Sequence, residues 1–190
     1  MEIPELYFER DTDWYDWLLQ NHNKYDAIYL IFYKLELNMP TMRWEEAVKV
    51  ALCFGWIDST VKSLGGGKRK QYFCPRNPKS TWSALNKKHI KELEEKNLIH
   101  EAGYKVIELA KKTGKWSEMD NVENGIIPKE LQKAFDANPL AFQNYRNLAK
   151  GYQKSYLSWL HSAKRDTTRL KRIKEIIKLC EANIKSRDAW

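Results

Sequence analysis

Acidic residues are missing from one long stretch of this chain. Between Ser59 and Lys91 there is no Asp or Glu, while nine basic residues occur there: Lys62, Lys68, Arg69, Lys70, Arg76, Lys79, Lys87, Lys88 and Lys91. The net charge of the whole chain is +8, so everything outside that stretch sums to about −1. A random surface intersperses both signs, so the excess points either to an anionic partner or to a solvated basic face. Cysteine is scarce too. Cys53, Cys74 and Cys180 are odd in number and far apart, which excludes a disulfide framework and a zinc site and leaves small buried hydrophobes. His22, His89, His100 and His161 show no ligand spacing with one another or with acids, so no metal and no cofactor is expected. Long apolar runs are lacking. The longest near the N-terminus, Ala27 to Tyr33, is far too short to cross a bilayer, and "MEIPELYFERD" lacks the basic and apolar regions of a secretion signal. Together these absences predict a cytoplasmic protein without membrane insertion. A nucleophile elbow, a phosphate-binding loop and a dinucleotide fingerprint are absent as well, which leans against an enzyme.

What is present is enough to fold. Hydrophobic residues make up 43% of the 190, with eight Trp, which excludes intrinsic disorder and suits one domain over 1–190. Within it, residues 1–120 read as a core with a sheet and 126–186 as a helical part. "TDWYDWLLQNH" places Trp14, Trp17 and Leu18 on one helical face, with Asp11 or Thr12 as the cap. "DAIYLIFYKLEL" is β-branched and aromatic on both faces at its centre, as an interior strand should be. "TMRWEEAVKVALCFG" carries Trp44, Ala47, Val48, Ala51 and Leu52 at helical spacing, with Thr41 as cap and Gly55 as stop. Further helices are expected over 82–96, 101–113, 128–136, 139–150, 152–164 and 166–184. The last of these would bury Leu170, Ile173, Ile176, Ile177 and Cys180, and "SEMDNVENGIIP" is the one long loop. The fold class is therefore α+β: mostly helical, with a small antiparallel sheet of about three strands, including a 56–76 hairpin, and a helical C-terminal half.

The hairpin turns at Gly65-Gly66-Gly67. A three-residue loop sets Leu64 opposite Lys68, hence Asp58 opposite Cys74, Lys62 opposite Lys70, and Asp58 diagonal to Arg76 on one sheet face. Asp58 would then pair with Arg76, whereas Lys62 and Lys70 would face each other unneutralised, a mildly unfavourable arrangement. Beyond the hairpin, "PRNPKSTWSALN" opens a helix whose free N–H groups lie near Arg76 and Lys79, a plausible anion site as well as an ordinary capped start.

"WEEAVKVALCFGWIDS", "PRNPKSTWSALN", "AGYKVIELAKKTGKW" and "SAKRDTTRLKRI" resemble the YdeI/OmpD-associated (bacteriocin-protection) family, over roughly residues 14–180. The resemblance implies a bacterial intracellular protein linked loosely to envelope porins and to tolerance of bacteriocins or cationic peptides. It implies no established reaction. Positions matching the family pattern include Asp58, Arg76, Ser80, Trp82, Ser83, Asn86, Lys164, Arg169 and Arg172. The tip "GGGKRK" departs from the acidic turn usual in that family and makes this chain more basic than its relatives.

Three readings of function follow. A binding module for a phosphorylated or carboxylated ligand would use Arg76, Lys79, Ser80, Trp82, Ser83 and Asn86, together with Lys164, Arg169 and Arg172, because Arg suits bidentate oxyanion recognition. Nucleic acid is the alternative anionic partner, with Tyr72, Phe73 and Trp82 available for stacking. An enzyme would rest on Asp58 as a general base, with His89 a second candidate, yet an Asp paired with Arg is a poor base near neutrality. An interaction component of envelope stress is the third, and protection by a cationic protein against cationic peptides would be indirect.

Overall fold

The computed structural model describes residues 2–186. The chain divides into two compact units, Met1–Ser117 and Glu118–Trp190.

In the first unit the order is β1 (Glu5–Tyr7), α1 (Asp11–Asn21), β2 (Ile28–Tyr33), α2 (Trp44–Cys53), β3 (Trp56–Gly65), β4 (Lys68–Pro75), α3 (Ala84–Glu95) and α4 (Glu101–Lys112). The sheet has four strands in the order β1-β2-β4-β3 and is mixed, not purely antiparallel. β1 runs parallel to β2, Glu5 beside Tyr29 and Tyr7 beside Ile31. Three residues are too few to show a periodicity, which is why the sequence yields only three strands. β2 is interior, as its two-sided apolar pattern requires, and pairs antiparallel with β4.

One face of this sheet builds the core. Alternation along the strands turns Ile28, Leu30 and Phe32 inward with Phe73, against Trp14 and Leu18 of α1 and the apolar side of α2. Trp14 is the hub. Its ring lies 5.4 Å from Trp17, 5.9 Å from Phe73 and 6.4 Å from Trp56, and its indole N–H donates to the Ala47 carbonyl at 3.2 Å. Buried indoles are tolerated because the N–H finds an acceptor; Trp56 likewise donates to the His22 carbonyl at 3.1 Å.

Helix starts differ in detail from the sequence expectation. The residue capping α1 is Arg10 and that capping α2 is Arg43, neither Asp11, Thr12 nor Thr41. At α2 the Glu46 carboxylate accepts the Arg43 backbone N–H at 2.7 Å, while the Thr41 hydroxyl accepts from Tyr33 instead. Trp44 is 37% exposed despite its place on the apolar stripe, because its ring reaches across to β3.

The second unit is helical: α5 (Asp120–Glu123), α6 (Lys129–Asp136), α7 (Pro139–Asn147), α8 (Lys150–His161) and α9 (Asp166–Glu181). The long loop of the sequence reading contains α5, pinned by buried Val122 and a 2.6 Å ion pair between Glu123 and Lys154. Leu131, Phe135, Tyr145, Leu157, Leu160 and Ile176 form the centre of this unit's core. Leu170 does not join them. It is 59% exposed, one turn before Ile173, where the buried stripe of α9 begins.

The tightest packing in the first unit is the approach of α4 to the end of α2. A Cβ built on Gly103 would stand 2.3 Å from the Cys53 carbonyl oxygen, which also accepts the His100 N–H at 3.0 Å. Neither side can yield easily, since both are backbone. Gly103→Ala is expected to destabilise the protein by about 1–3 kcal/mol, an overpacking cost. Urea titration checks this, and an unchanged midpoint would show that α4 shifts freely.

Candidate functional site

The hairpin decides which charges meet. Near the tip, Lys62 faces Lys70 and Ser63 faces Arg69, as the sequence arithmetic requires. The loop itself is shorter than expected: Gly65 pairs with Lys68, leaving Gly66 and Gly67 as a two-residue turn with φ of 56° and 74°. Both positions need the left-handed region, which glycine enters without strain. Farther from the tip, the pairing slips between Asp58 and Val61, so Asp58 faces Phe73 and Ile57 takes the place opposite Cys74. A bulge of this kind adds a residue to one strand and moves every later side chain to the other face.

The expected Asp58–Arg76 ion pair is therefore not formed. Asp58 points to the core side, where Oδ2 accepts the Trp44 indole N–H at 2.9 Å and the Gln71 amide at 2.6 Å. Its carboxylate holds α2 against the sheet. Arg76 is left buried, 7% exposed, with no acid bonded to it. Its guanidinium lies over the Trp82 ring at 3.9 Å and Nη2 donates to the Thr81 carbonyl, but Nε and Nη1 have no hydrogen-bond partner. Burial lowers the Arg76 pKa to about 10, against a weaker opposing pull from the Asp58 charge.

The α3 start is a capped helix. The Ser83 hydroxyl accepts the Asn86 N–H at 3.2 Å. Lys79 and Ser80 belong to the preceding turn, where the Lys79 N–H donates to the Asn77 side chain and the Ser80 hydroxyl to the Asn77 carbonyl. Trp82 is fully buried, its ring tilted against that of Trp116 at 4.9 Å. Of the expected cluster, the structure thus joins Arg76 to Thr81 and Trp82, and gives Lys79, Ser80, Ser83 and Asn86 local partners.

His89 is 2% exposed and neither ring nitrogen is hydrogen-bonded. Burial first, and Lys49 second, lower its pKa below 6.5, with Glu45 and Glu92 opposing and Lys88 adding to the depression. It is a buried imidazole whose charged form the surroundings disfavour. In the second unit Arg169 donates to Glu130 at 2.5 Å and to the Leu160 carbonyl at 3.4 Å. Arg172 donates to the Trp159 carbonyl and to the Ser162 hydroxyl at 2.7 Å. Both guanidinium groups satisfy carbonyls at the end of α8, and Lys164 is exposed beside them.

A cavity of about 730 Å³ lies under the hairpin tip, a size typical of small-molecule sites. Phe32, Tyr33, Met42, Trp44 and Val61 form its apolar walls, and Gly65 to Gly67 its rim. Four cations line it, Lys34, Arg43, Lys68 and Arg69, against one acid, Glu45. Glu45 is already bonded to Lys49 at 3.0 Å, whereas none of the four cations has an ion-pair partner among the described residues. Arg69 stands over the Phe32 ring at 5.5 Å. Lys34 and Arg43 were not singled out from the sequence, since they lie outside the acid-free stretch; their signal was proximity to a glycine-rich turn, visible only once β2 and β4 pair.

A family model described as a domain of unknown function (DUF8412) matches residues 6–106, just over half of the chain. The chain belongs to that family. The matched region holds the hairpin, the cavity and all of the sheet except Glu5 at the start of β1. A second family model, described as "Bacteriocin-protection, YdeI or OmpD-Associated", matches residues 124–183, within the helical unit. The resemblance expected over 14–180 is thus matched in its C-terminal part. No curated protein and no solved structure matches the chain. No helix among the described residues is long and apolar enough to cross a membrane.

Buried Arg76 and buried His89 each generate a prediction. Arg76→Met keeps the contact with Trp82 and removes an unpaired charge, so it is expected to leave stability unchanged or raise it by about 1–3 kcal/mol in urea titration; a loss of that size would show that the guanidinium is satisfied. For His89, the folded state refuses a proton that the unfolded chain accepts near 6.5. Stability is then complete above that pH and falls as pH drops below it. His89→Leu should flatten this dependence between pH 7 and 5, and parallel curves for the two proteins would refute the assignment.

Proposed function

We propose that the chain is a binding protein for an organic anion, a phosphate or carboxylate carried on an apolar or aromatic body, held in the cavity under the hairpin tip. One observation carries the reading: four cations without ion-pair partners among the described residues surround a concave site whose walls are aromatic. Unpaired cations beside one another are unfavourable unless a counter-charge arrives. Arg43 and Arg69 suit bidentate oxyanion recognition, and Phe32, Tyr33 and Trp44 offer flat surfaces for the rest of the ligand. The site differs from the one expected at Arg76 and the α3 start, where Arg76 is buried against Trp82 and the Ser80 and Ser83 hydroxyls are engaged in local hydrogen bonds.

An enzyme is less well supported. Asp58 spends its carboxylate on Trp44 and Gln71, and His89 is enclosed. Neither is free to move a proton at the cavity. A part in envelope stress or peptide tolerance rests on the partial family match alone and would be indirect.

A thermal-shift screen with inorganic phosphate, nucleoside monophosphates and aromatic carboxylates tests the reading, because a ligand that binds only the native state raises the melting temperature. Arg43→Gln and Arg69→Gln should each weaken a binding anion by roughly 10- to 150-fold, the value of a charged hydrogen bond of about 1.5–3 kcal/mol. An equal shift in the Arg43→Gln, Arg69→Gln double variant would overturn the site.

A further inference from the structure

The sheet has a second face, opposite the core, and its chemistry is different. Strand alternation and register put Tyr29, Ile31 and Tyr33 of β2 on it, directly opposite Tyr72, Lys70 and Lys68 of β4. Lys62 of β3 joins them opposite Lys70. Tyr7 of β1 packs edge-on against Tyr33 at 5.4 Å, and Tyr29 packs edge-on against Tyr72 at the same distance. The lysines stand over these rings: Lys70 at 4.5 Å and Lys62 at 5.6 Å from the centre of Tyr29, Lys68 at 5.8 Å from that of Tyr33. The one acid that the register adds is Glu5, paired with Lys70. Lys62 and Lys68 are left without an acid among the described residues.

We infer that this outer sheet face binds single-stranded nucleic acid, with bases stacked on Tyr29, Tyr33 and Tyr72 and the backbone neutralised by Lys62 and Lys68. The reason is the pairing of flat rings with unneutralised cations on one sheet surface. Aromatics accept any base through its π-face, and Lys ammoniums supply the non-specific phosphate attraction. Tyr29 and Tyr33 lie four residues apart on one strand, roughly 13 Å at about 3.3 Å per residue, enough to separate two stacked bases. A duplex keeps its bases stacked inside and cannot use the rings, so the face should discriminate single from double strands. An acidic protein partner would be attracted by the lysines but would not require flat rings, so leucine would serve it as well as phenylalanine at these positions. The face is independent of the cavity except at Tyr33 and Lys68, which border both.

Fluorescence anisotropy with labelled oligothymidylate and oligouridylate, at 50 mM and 200 mM salt, tests this. Single strands should bind more tightly than a duplex of equal length, and the affinity should fall steeply with salt. Tyr29→Leu and Tyr72→Leu should each weaken binding by about 5- to 150-fold, the loss of one stacked base, while Tyr29→Phe and Tyr72→Phe bind as the parent does. Lys62→Gln, an exposed change with little risk to folding, should reduce the salt slope by about 0.7. Arg43→Gln should leave oligonucleotide binding intact, which separates this face from the cavity. The inference is overturned if no single strand binds at 50 mM salt, if duplex or polyglutamate competes equally, or if the Leu and Phe variants behave alike.

Discussion

The bulge that takes up Ser59 and Thr60 sets the electrostatics of the first unit. Without it, β3 and β4 would run in one register and Asp58 would stand on the same face as Arg76. With it, Asp58 turns inward to take two N–H donors, from Trp44 and Gln71, and so fastens α2 to the sheet. The same shift deprives Arg76 of its natural acid. The guanidinium is held instead by the Trp82 ring and one carbonyl, at a visible expense in unpaired N–H groups. Buried polar atoms are normally satisfied, so the unpaired Arg76 nitrogens are a local cost to stability.

Beyond the bulge toward the tip, the register returns to the one that puts Lys62 opposite Lys70. Here no acid intervenes from the hairpin itself. Tyr29 lies under both ammoniums and Glu5 relieves one of them, yet the opposition remains. The short β1 matters for that reason. It adds three residues to the sheet, and two of them, Glu5 and Tyr7, face the outer surface and complete its pattern of rings and charges. A tight glycine turn keeps the two strands paired to the end, bringing Lys68 and Arg69 to opposite faces. One basic tripeptide thereby serves the outer face and the cavity at once.

Much of this was legible in the sequence. The helical periodicities of α2, α4 and α9, the two-sided apolar pattern of β2 and the glycine turn all predicted elements within a few residues of their observed ends. What was not legible has identifiable causes. β1 is too short for a period to show. The bulge has no marker, since Ser59 and Thr60 are ordinary strand residues and the arithmetic of a regular ladder is silent about an extra residue. Trp44 and Leu170 fit their helical stripes by spacing but sit at the margins of the packed surface. The cavity escaped notice because two of its cations, Lys34 and Arg43, come from segments that only tertiary structure brings to the hairpin.

The acid-free stretch can now be divided by what each cation touches. Arg76 is interior and Lys79 belongs to a turn. Lys88 reaches Glu92 at 3.9 Å, a surface pair of small energetic weight. Lys62, Lys68 and Lys70 stand over tyrosines, and Arg69 stands over Phe32 in the cavity wall. A merely solubilising basic surface would scatter its charges and keep them away from aromatic rings, which gain little from a hydrated ammonium. Lys62, Lys68, Arg69 and Lys70 near the hairpin tip overlie rings, as do Arg76 over Trp82 and Lys87 over Trp116, whereas Lys79, Lys88 and Lys91 are exposed in the ordinary way. The charge imbalance is therefore concentrated where flat surfaces are available. That coincidence, rather than the net charge of the chain, is what favours recognition of an anion that also carries a ring.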